Sequence, residues 1–226
     1  MHFFSTHTFL TRIGRLLLLL LLVLIGVFIS YFFWQPGTIL RSGAHDKGSN
    51  GIWLQHGWLG NDSWFENSGK ESSPFRSKEQ IRKLASLLRS NGVKFLFPHL
   101  CPCSPVGEIP PVDQVQTEQF LSETHDFIVL PWVGGVLNST VFIESPQWQS
   151  AFASSAKTLL LRFPDFKGIH INIEPLPSGN SNFLDFLKLL RRTLPIGAII
   201  SIAAYPPPTF LQRWPGGTGQ KIQGYK

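Results

Sequence analysis

The sequence predicts an α/β fold, a parallel (β/α) barrel-like domain preceded by one transmembrane helix. After residue 50, short and nearly continuous apolar segments alternate with amphipathic ones, a pattern typical of parallel strands covered by helices. The predicted strands begin near residues 52, 93, 127, 169 and 198, which is the spacing of repeated strand–helix units. An uncharged segment near the N-terminus predicts the transmembrane helix.

The transmembrane helix is predicted over residues 16–34, which carry no charge and open with seven leucines. At 1.5 Å per residue this segment is about 28 Å long, close to the roughly 30 Å hydrocarbon thickness of a bilayer. Arg12 and Arg15 precede it. The positive-inside rule therefore places residues 1–15 in the cytoplasm and the rest of the chain outside, as a single-pass membrane protein.

A cleaved signal peptide is the alternative interpretation of this segment. Such a peptide has an apolar core of about 7–15 residues that is followed by small residues. Here the bulky aromatic residues 31–34 follow the core, and the small residues 42–44 lie well beyond it. An uncleaved anchor is therefore predicted, with residues 35–50 as a polar linker and 51–226 as the outer domain.

The outer domain begins with a predicted strand at Ile52–Gln55. Ser77 then begins a helix, and Asn91-Gly92 ends it. Residues 93–97 form the second strand, and a helical stretch near 114–123 follows.

The third strand is predicted over residues 127–130 and continues into 132–135. A helix runs from Ser145-Pro146 to about Arg162, because serine caps helices and proline favours their first position. Three further elements complete the pattern. They are a fourth strand at 168–174, a helix at 182–193 and a fifth strand at 198–204.

Two closures of this sheet are compatible with the pattern, an open doubly wound sheet and a (β/α)8 barrel. No Gly-x-Gly-x-x-Gly motif and no P-loop follows any predicted strand, so the usual nucleotide-binding reason for the open form is missing. The barrel is favoured on that ground. A complete barrel needs eight units, and the pattern provides about five, so the predicted barrel is truncated.

Composition restricts the binding partners. The net charge is +6, and it falls to about +4 without Arg12 and Arg15. This excess is scattered, so no nucleic-acid partner is predicted. The two cysteines, Cys101 and Cys103, are too closely spaced for an unstrained disulfide and lack the usual spacing of a zinc site. Free or transiently oxidised thiols are predicted, with no metal site and no cofactor.

The fourth strand carries the candidate site. Because side chains alternate along a strand, His170, Asn172 and Glu174 share one face, and three isoleucines share the other. Glu174 is the last residue of the strand, at the end where the active sites of barrels collect. A partly desolvated carboxylic acid at this position could act as a general acid. The alternative is structural, with Glu174 bound to loop amides and His170 and Asn172 in a buried polar network.

This strand resembles the signature of the chitinase-like glycoside hydrolases of family 18, which reads Asp-x-x-Asp-x-Asp-x-Glu. Aligned on Glu174, this chain reads Lys167-x-x-His170-x-Asn172-x-Glu174. The third strand of the family ends in Ser-x-Gly-Gly, where this chain has residues 132–135. The fifth strand of the family often ends in an alanine-rich stretch and a proline, which is similar to residues 201–206 here.

The resemblance implies a barrel in which Glu174 is the proton donor and Asn172 replaces the aspartate that orients the N-acetyl group of the substrate. All three aspartates of the signature are replaced in this chain. Glu174-Pro175 also resembles the Asn-Glu-Pro of other retaining barrel glycosidases, although Ile173 stands in the place of the asparagine. The aromatic residues at strand ends are the candidates for stacking on sugar rings. With His170, the predicted substrate-binding residues are Trp53, Trp132 and Tyr205.

Three hypotheses for the function remain open. The first is a membrane-anchored glycoside hydrolase that acts on an N-acetylated extracytoplasmic glycan, with Glu174 as the acid. The second is a non-catalytic module that binds a glycan or a protein outside the membrane. The third is an inactive, truncated fragment of a hydrolase.

Overall fold

The computed structural model describes residues 6–33, 48–60, 63–177 and 179–204. The chain divides into two compact units, Met1–Lys47 and Gly48–Lys226. Most of the predicted linker, and Tyr205 with the residues that follow it, lie outside the described residues.

The first unit contains one helix, α1, which spans Thr6–Phe33. Within it, Arg12–Tyr31 is long and apolar enough to cross a membrane. Its leucines are exposed along the whole segment, as expected for a helix with apolar side chains on every side. The prediction of a long apolar helix is confirmed, and its insertion into a membrane stays a prediction.

The second unit is an α/β domain with two three-stranded sheets, in which all strands pair in parallel. The first sheet has the order β1-β2-β3, with β1 at Asn50–Leu54, β2 at Val93–Pro98 and β3 at Ile128–Val129. The second has the order β4-β5-β6, with β4 at Trp132–Val136, β5 at Gly168–Glu174 and β6 at Ile199–Ile202.

Helices connect these strands, as the alternating pattern predicts, except between β3 and β4. They are α2 at Ser63–Ser68, α3 at Ser73–Arg76, α4 at Lys78–Ser90, α5 at Gln114–Glu123, α6 at Pro146–Arg162 and α7 at Ser181–Thr193. The short helices α2 and α3 were not predicted, because each is too short to show a helical period. The cap of α6 was predicted, whereas Ser77, the predicted cap of α4, makes no side-chain cap hydrogen bond. Ser145 Oγ accepts a hydrogen bond from the Trp148 amide at 3.3 Å at the start of α6.

The predicted third strand is divided into β3 and β4 at Pro131, which has no amide hydrogen to donate. The two sheets are nevertheless connected at this position, because His99 and Trp132 form a parallel bridge. The Leu100 amide also donates to the Trp132 carbonyl at 2.8 Å, and the His170 amide donates to the Pro131 carbonyl at 2.9 Å. The parallel α/β arrangement is therefore confirmed.

A closed barrel is not formed by the described residues. Among them, β1 pairs only with β2, and β6 pairs only with β5. The described residues form six strands, whereas a closed (β/α)8 barrel has eight.

The core of the domain lies between β5 and the helices that cover it. Ile169, Ile171 and Ile173 are buried, as the alternation along β5 predicts. Phe152 of α6 and Phe186 of α7 are fully buried and meet edge to face, with ring centroids 5.3 Å apart. This packing fixes which face of β5 is directed away from the helices, and the candidate site is on that face.

Candidate functional site

The residues of the site lie on the face of the strands opposite the covering helices. Side chains that are register partners in parallel strands point to the same side, and the pairs are Trp53 with Phe97, Trp132 with His170, and His170 with Ser201. His99 bridges to Trp132 directly after β2. We call this surface the aromatic face, and its members are Trp53, Phe97, His99, Trp132 and His170.

Two indoles form the exposed part of the aromatic face. Trp53 stacks on Trp132 with ring centroids 5.3 Å apart and an angle of 24° between the planes. Trp53 is 53% exposed, whereas Trp132 is half-buried and its Nε1 has no hydrogen-bond partner among the described residues. In this stack the Trp53 indole is therefore the exposed ring, and the Trp132 indole supports it.

His170 lies beneath this stack and is 3% exposed. Its Nε2 accepts a hydrogen bond from Trp53 Nε1–H at 3.0 Å, and its Nδ1 lies 2.9 Å from Ser201 Oγ. The ring also stacks on Phe97, with centroids 4.2 Å apart. Burial lowers the pKa of His170 to about 4, because desolvation disfavours the imidazolium form. Both ring nitrogens are thus engaged within the protein.

A pair of histidines that was not predicted as a site lies at the edge of the aromatic face, to which His99 belongs. The ring centroids of His56 and His99 lie 3.7 Å apart. His56 stacks in parallel on Trp64 at 4.8 Å, and His99 meets Trp132 edge to face at 4.4 Å. Burial, and then the charge of His56, lower the pKa of His99 to about 4. The signal in the sequence is that each histidine closely follows the carboxyl end of a strand, β1 or β2.

The catalytic residues predicted from the sequence lie further along β5. Asn172 is half-buried beside Gly134, and Glu174 is exposed beside Val136. Glu174 is four residues beyond His170, or about 13 Å at the rise of a parallel strand. Its carboxylate is exposed and has no hydrogen-bond or ion-pair partner among the described residues.

The structure therefore brings three predicted substrate-binding residues into contact, namely Trp53, Trp132 and His170. Asn172 and Glu174 lie on the same face of β5 as His170. Tyr205 falls outside the described residues.

The two cysteines lie next to the site as free thiols. Cys101 Sγ lies 3.3 Å from the Trp132 carbonyl oxygen, and Cys103 Sγ lies 3.5 Å from that of Thr140. Burial raises the pKa of Cys103 to about 12 and also raises the pKa of Cys101, so both remain protonated near neutral pH. Within the described ranges, no three histidine, cysteine or acidic side chains are grouped so that they could hold a metal ion.

Comparison with known proteins gives a likeness in structure only. No family model matches the chain, and no curated protein matches it in sequence. A chitinase from Rhizomucor miehei is similar at 20% identity with a TM-score of 0.43, over 49% of this chain and 34% of that chain. A chitinase from Bacteroides thetaiotaomicron is similar at 14% identity with a TM-score of 0.45, over 69% of this chain and 47% of that chain.

The spore cortex-lytic enzyme SleL from Bacillus cereus is similar at 12% identity with a TM-score of 0.44, over 68% of this chain and 33% of that chain. This chain thus spans between a third and a half of the length of these structures. Since all three TM-scores are below 0.5, no conclusion about the function of this chain follows from the likeness.

Proposed function

We propose that this chain is a membrane-anchored, glycoside-hydrolase-like protein that binds an N-acetylated extracytoplasmic glycan on its aromatic face. The observation that carries the proposal is that the Trp53 indole is held in place by its neighbours and is also exposed. Its indole is held by a stack on Trp132 and by a hydrogen bond to His170, yet it is 53% exposed. An ordered and exposed aromatic ring offers contact area at little cost in conformational entropy, and the apolar face of a pyranose ring fits such a surface.

The proposal that the ligand carries an N-acetyl group is supported by the position of Asn172. Its amide lies on the same face of β5 as His170, two residues nearer the strand end, and is half-buried. A side-chain amide can both donate to and accept from an acetamido group. The proposed extracytoplasmic location is supported by the apolar segment Arg12–Tyr31 of α1 and by Arg12 and Arg15 at the start of that segment.

Binding is tested with the full chain in detergent micelles, titrated with chitotetraose and followed by calorimetry. Trp53→Ala is expected to weaken binding at least about threefold, because it removes a stacking surface. Trp64→Ala is the matched control, since Trp64 is a similarly exposed indole outside the aromatic face. Unchanged affinity in Trp53→Ala, or an equal loss in Trp64→Ala, would contradict the proposed surface.

Glu174 is proposed as the general acid if the bound glycan is also cleaved. This role is supported by the position of the Glu174 carboxylate, which is exposed at the carboxyl end of β5 on the face that carries Asn172. Glu174 would give its proton to the glycosidic oxygen as the bond to the anomeric carbon breaks. The acetamido oxygen of the substrate would attack that carbon, because Asn172 cannot act as a nucleophile. Water would then open the cyclic intermediate and return the proton to Glu174.

Hydrolysis is tested with a fluorogenic chito-oligosaccharide. Glu174→Gln is expected to lower kcat by about 100-fold or more, the usual effect of losing a general acid, while glycan affinity stays within about twofold. Glu144→Gln is the control, because Glu144 is another exposed glutamate, in the loop after β4. If Glu174→Gln cleaves as fast as the parent, Glu174 is not the acid.

A non-catalytic glycan-binding module is the second candidate. It is favoured by the use of both His170 nitrogens within the protein and by the amide at position 172. Binding of chitotetraose by the parent without any cleavage would select this candidate.

A further inference from the structure

Ser201, His170 and Trp53 form a chain of hydrogen bonds across three strand positions of the domain. Trp53 Nε1–H donates to His170 Nε2 at 3.0 Å, and His170 Nδ1 lies 2.9 Å from Ser201 Oγ. Trp53 is on β1, His170 on β5 and Ser201 on β6. These hydrogen bonds therefore connect the exposed indole of Trp53 on the edge strand β1 with Ser201 on the edge strand β6.

The direction of these hydrogen bonds fixes the protonation state of His170. An indole nitrogen can only donate, so Nε2 must accept and carries no proton. The single proton of the neutral imidazole then lies on Nδ1, which donates to Ser201 Oγ. An imidazolium ring would carry a proton on both nitrogens, and its Nε2–H would face the Trp53 N–H as a second donor.

The surroundings of His170 favour this neutral form. The ring stacks on Phe97 and is 3% exposed. Titratable groups on the neighbouring elements make their contacts elsewhere. After β1, His56 contacts His99 and Trp64, and after β2, His99 and Cys101 contact Trp132.

Two charged residues flank His170 along the chain. Lys167 immediately precedes β5, the strand of His170, and Glu174 is the last residue of β5. No charged side chain among the described residues is hydrogen-bonded or ion-paired to the His170 ring. Nothing on these elements offsets the cost of a buried imidazolium.

We propose that His170 is a positioning residue that, in its neutral form, holds the Trp53 indole in the orientation required by the glycan-binding surface. For its binding readout the inference rests on the proposed function. Protonation of His170 breaks the hydrogen bond to Trp53, so glycan affinity falls when the solution becomes acidic. The proposed ligand is still an N-acetylated glycan, and His170 is added as the residue that regulates the surface to which the glycan binds.

The first measurement does not depend on any glycan. In the full chain in detergent micelles, the indole 1H–15N resonance of Trp53 is assigned by its loss in Trp53→Phe. Titration from pH 7.5 to 3.5 is expected to move this resonance with the same midpoint as the ring 15N signals of His170. Different midpoints, or a Trp53 resonance that does not move, would overturn the proposal.

Two variants at the same position separate positioning from packing. His170→Phe keeps an aromatic ring against Phe97 but has no acceptor, whereas His170→Gln places an amide oxygen near the position of Nε2. His170→Phe is expected to shift the Trp53 resonance and to weaken chitotetraose binding about three- to tenfold, the usual effect of one lost hydrogen bond. His170→Gln is expected to restore both and to remove this part of the pH dependence of binding.

His125→Gln is the control, because His125 is an exposed histidine after α5. Its pH profile of binding is expected to match the parent. If His170→Phe does not fold, the titration of the parent and the variant Ser201→Ala decide the question. Ser201→Ala removes the acceptor of the Nδ1 proton and is expected to move both the Trp53 resonance and the midpoint of His170. If the parent binds no glycan, the proposed function fails, and the resonance measurements still test the positioning role.

Discussion

Gly134 on β4 lies opposite Asn172 on β5, and the two backbones are so close that a Cβ atom at Gly134 would overlap the carbonyl oxygen of Asn172. Gly134 also has a φ of +133°, which side chains with a Cβ rarely adopt. This contact sets the spacing of β4 and β5 at the position where Asn172 enters the candidate site. Gly134, the first glycine of the third-strand motif, therefore has a structural role that is separate from any chemistry.

Gly134→Ala is expected to lower the free energy of unfolding by about 3 kcal/mol or more, because the strands must separate to admit the methyl group. Gly179→Ala is the matched control, since Gly179 also has a positive φ but has open space around its Cβ position. The control is expected to cost only about 1–2 kcal/mol from the backbone conformation. Denaturant unfolding of both variants measures the difference, and equal losses would show that the contact with Asn172 is not what requires glycine.

Phe152→Ala tests the core that holds β5 in place. Phe152 is fully buried and lies against Trp148 and Phe186, with ring centroids 5.1 and 5.3 Å away. Its removal leaves a large cavity and is expected to cost about 3–5 kcal/mol. Leu161→Ala on the same helix is the control, because Leu161 is largely exposed and its loss is expected to cost less than about 0.5 kcal/mol. Thermal or denaturant unfolding that does not separate the two variants would contradict the position of α6 on the sheet.

The stability of the domain is expected to fall as the pH is lowered from about 6.5 to 4. Burial lowers the pKa values of His170 and His99 to about 4, so in this interval the unfolded chain binds protons that the folded chain does not. The stabilisation is complete above the unfolded value and is lost as the pH falls toward the folded value. For the buried His170 ring the loss is about 2 kcal/mol between pH 7 and pH 5 and about 3 kcal/mol by pH 4.

Denaturant unfolding at pH 7, 6 and 5 checks this dependence, since most carboxylates remain ionised in both states above pH 5. His170→Gln is expected to reduce the slope of stability against pH, and His125→Gln is expected to leave it unchanged. A parent domain whose stability is constant over this interval would show that the two rings are not buried as described.

The orientation of α1 in a membrane is expected to leave Asn138 on the non-cytoplasmic side. Asn138-Ser-Thr is an acceptor sequence for N-glycosylation, and Asn138 is exposed in the turn after β4. Translation in the presence of endoplasmic reticulum microsomes is expected to give a membrane-bound, glycosylated product, and Asn138→Gln is expected to lose one glycan.

The double variant Arg12→Glu and Arg15→Glu is expected to reduce the glycosylated fraction, because positive charges before an apolar helix favour retention of that end in the cytoplasm. A membrane-bound parent without any glycan would indicate the opposite orientation. A shortened and soluble product would indicate a cleaved signal peptide.

Local patterns in the sequence predicted most of the secondary structure. The bounds of α5 and β5 agree with the prediction, and α6 begins after the predicted cap at Ser145. These features depend on periodicity, caps and alternation within a few residues, so they can be recognised without the rest of the chain. The division of the third strand at Pro131 was missed, although the missing amide hydrogen explains it once the pairing is known.

The sequence by itself determined the long apolar helix, the parallel strand–helix pattern and the alternation that sets His170, Asn172 and Glu174 on one face of β5. Only the tertiary structure decided which side chains this face contacts. It placed Trp53 against His170 across 117 positions of the chain and gave the second ring nitrogen of His170 to Ser201. It also left Glu174 exposed beyond them. The physical reason is that hydrogen-bond partners and burial depend on which strands become neighbours, and no local pattern specifies that choice.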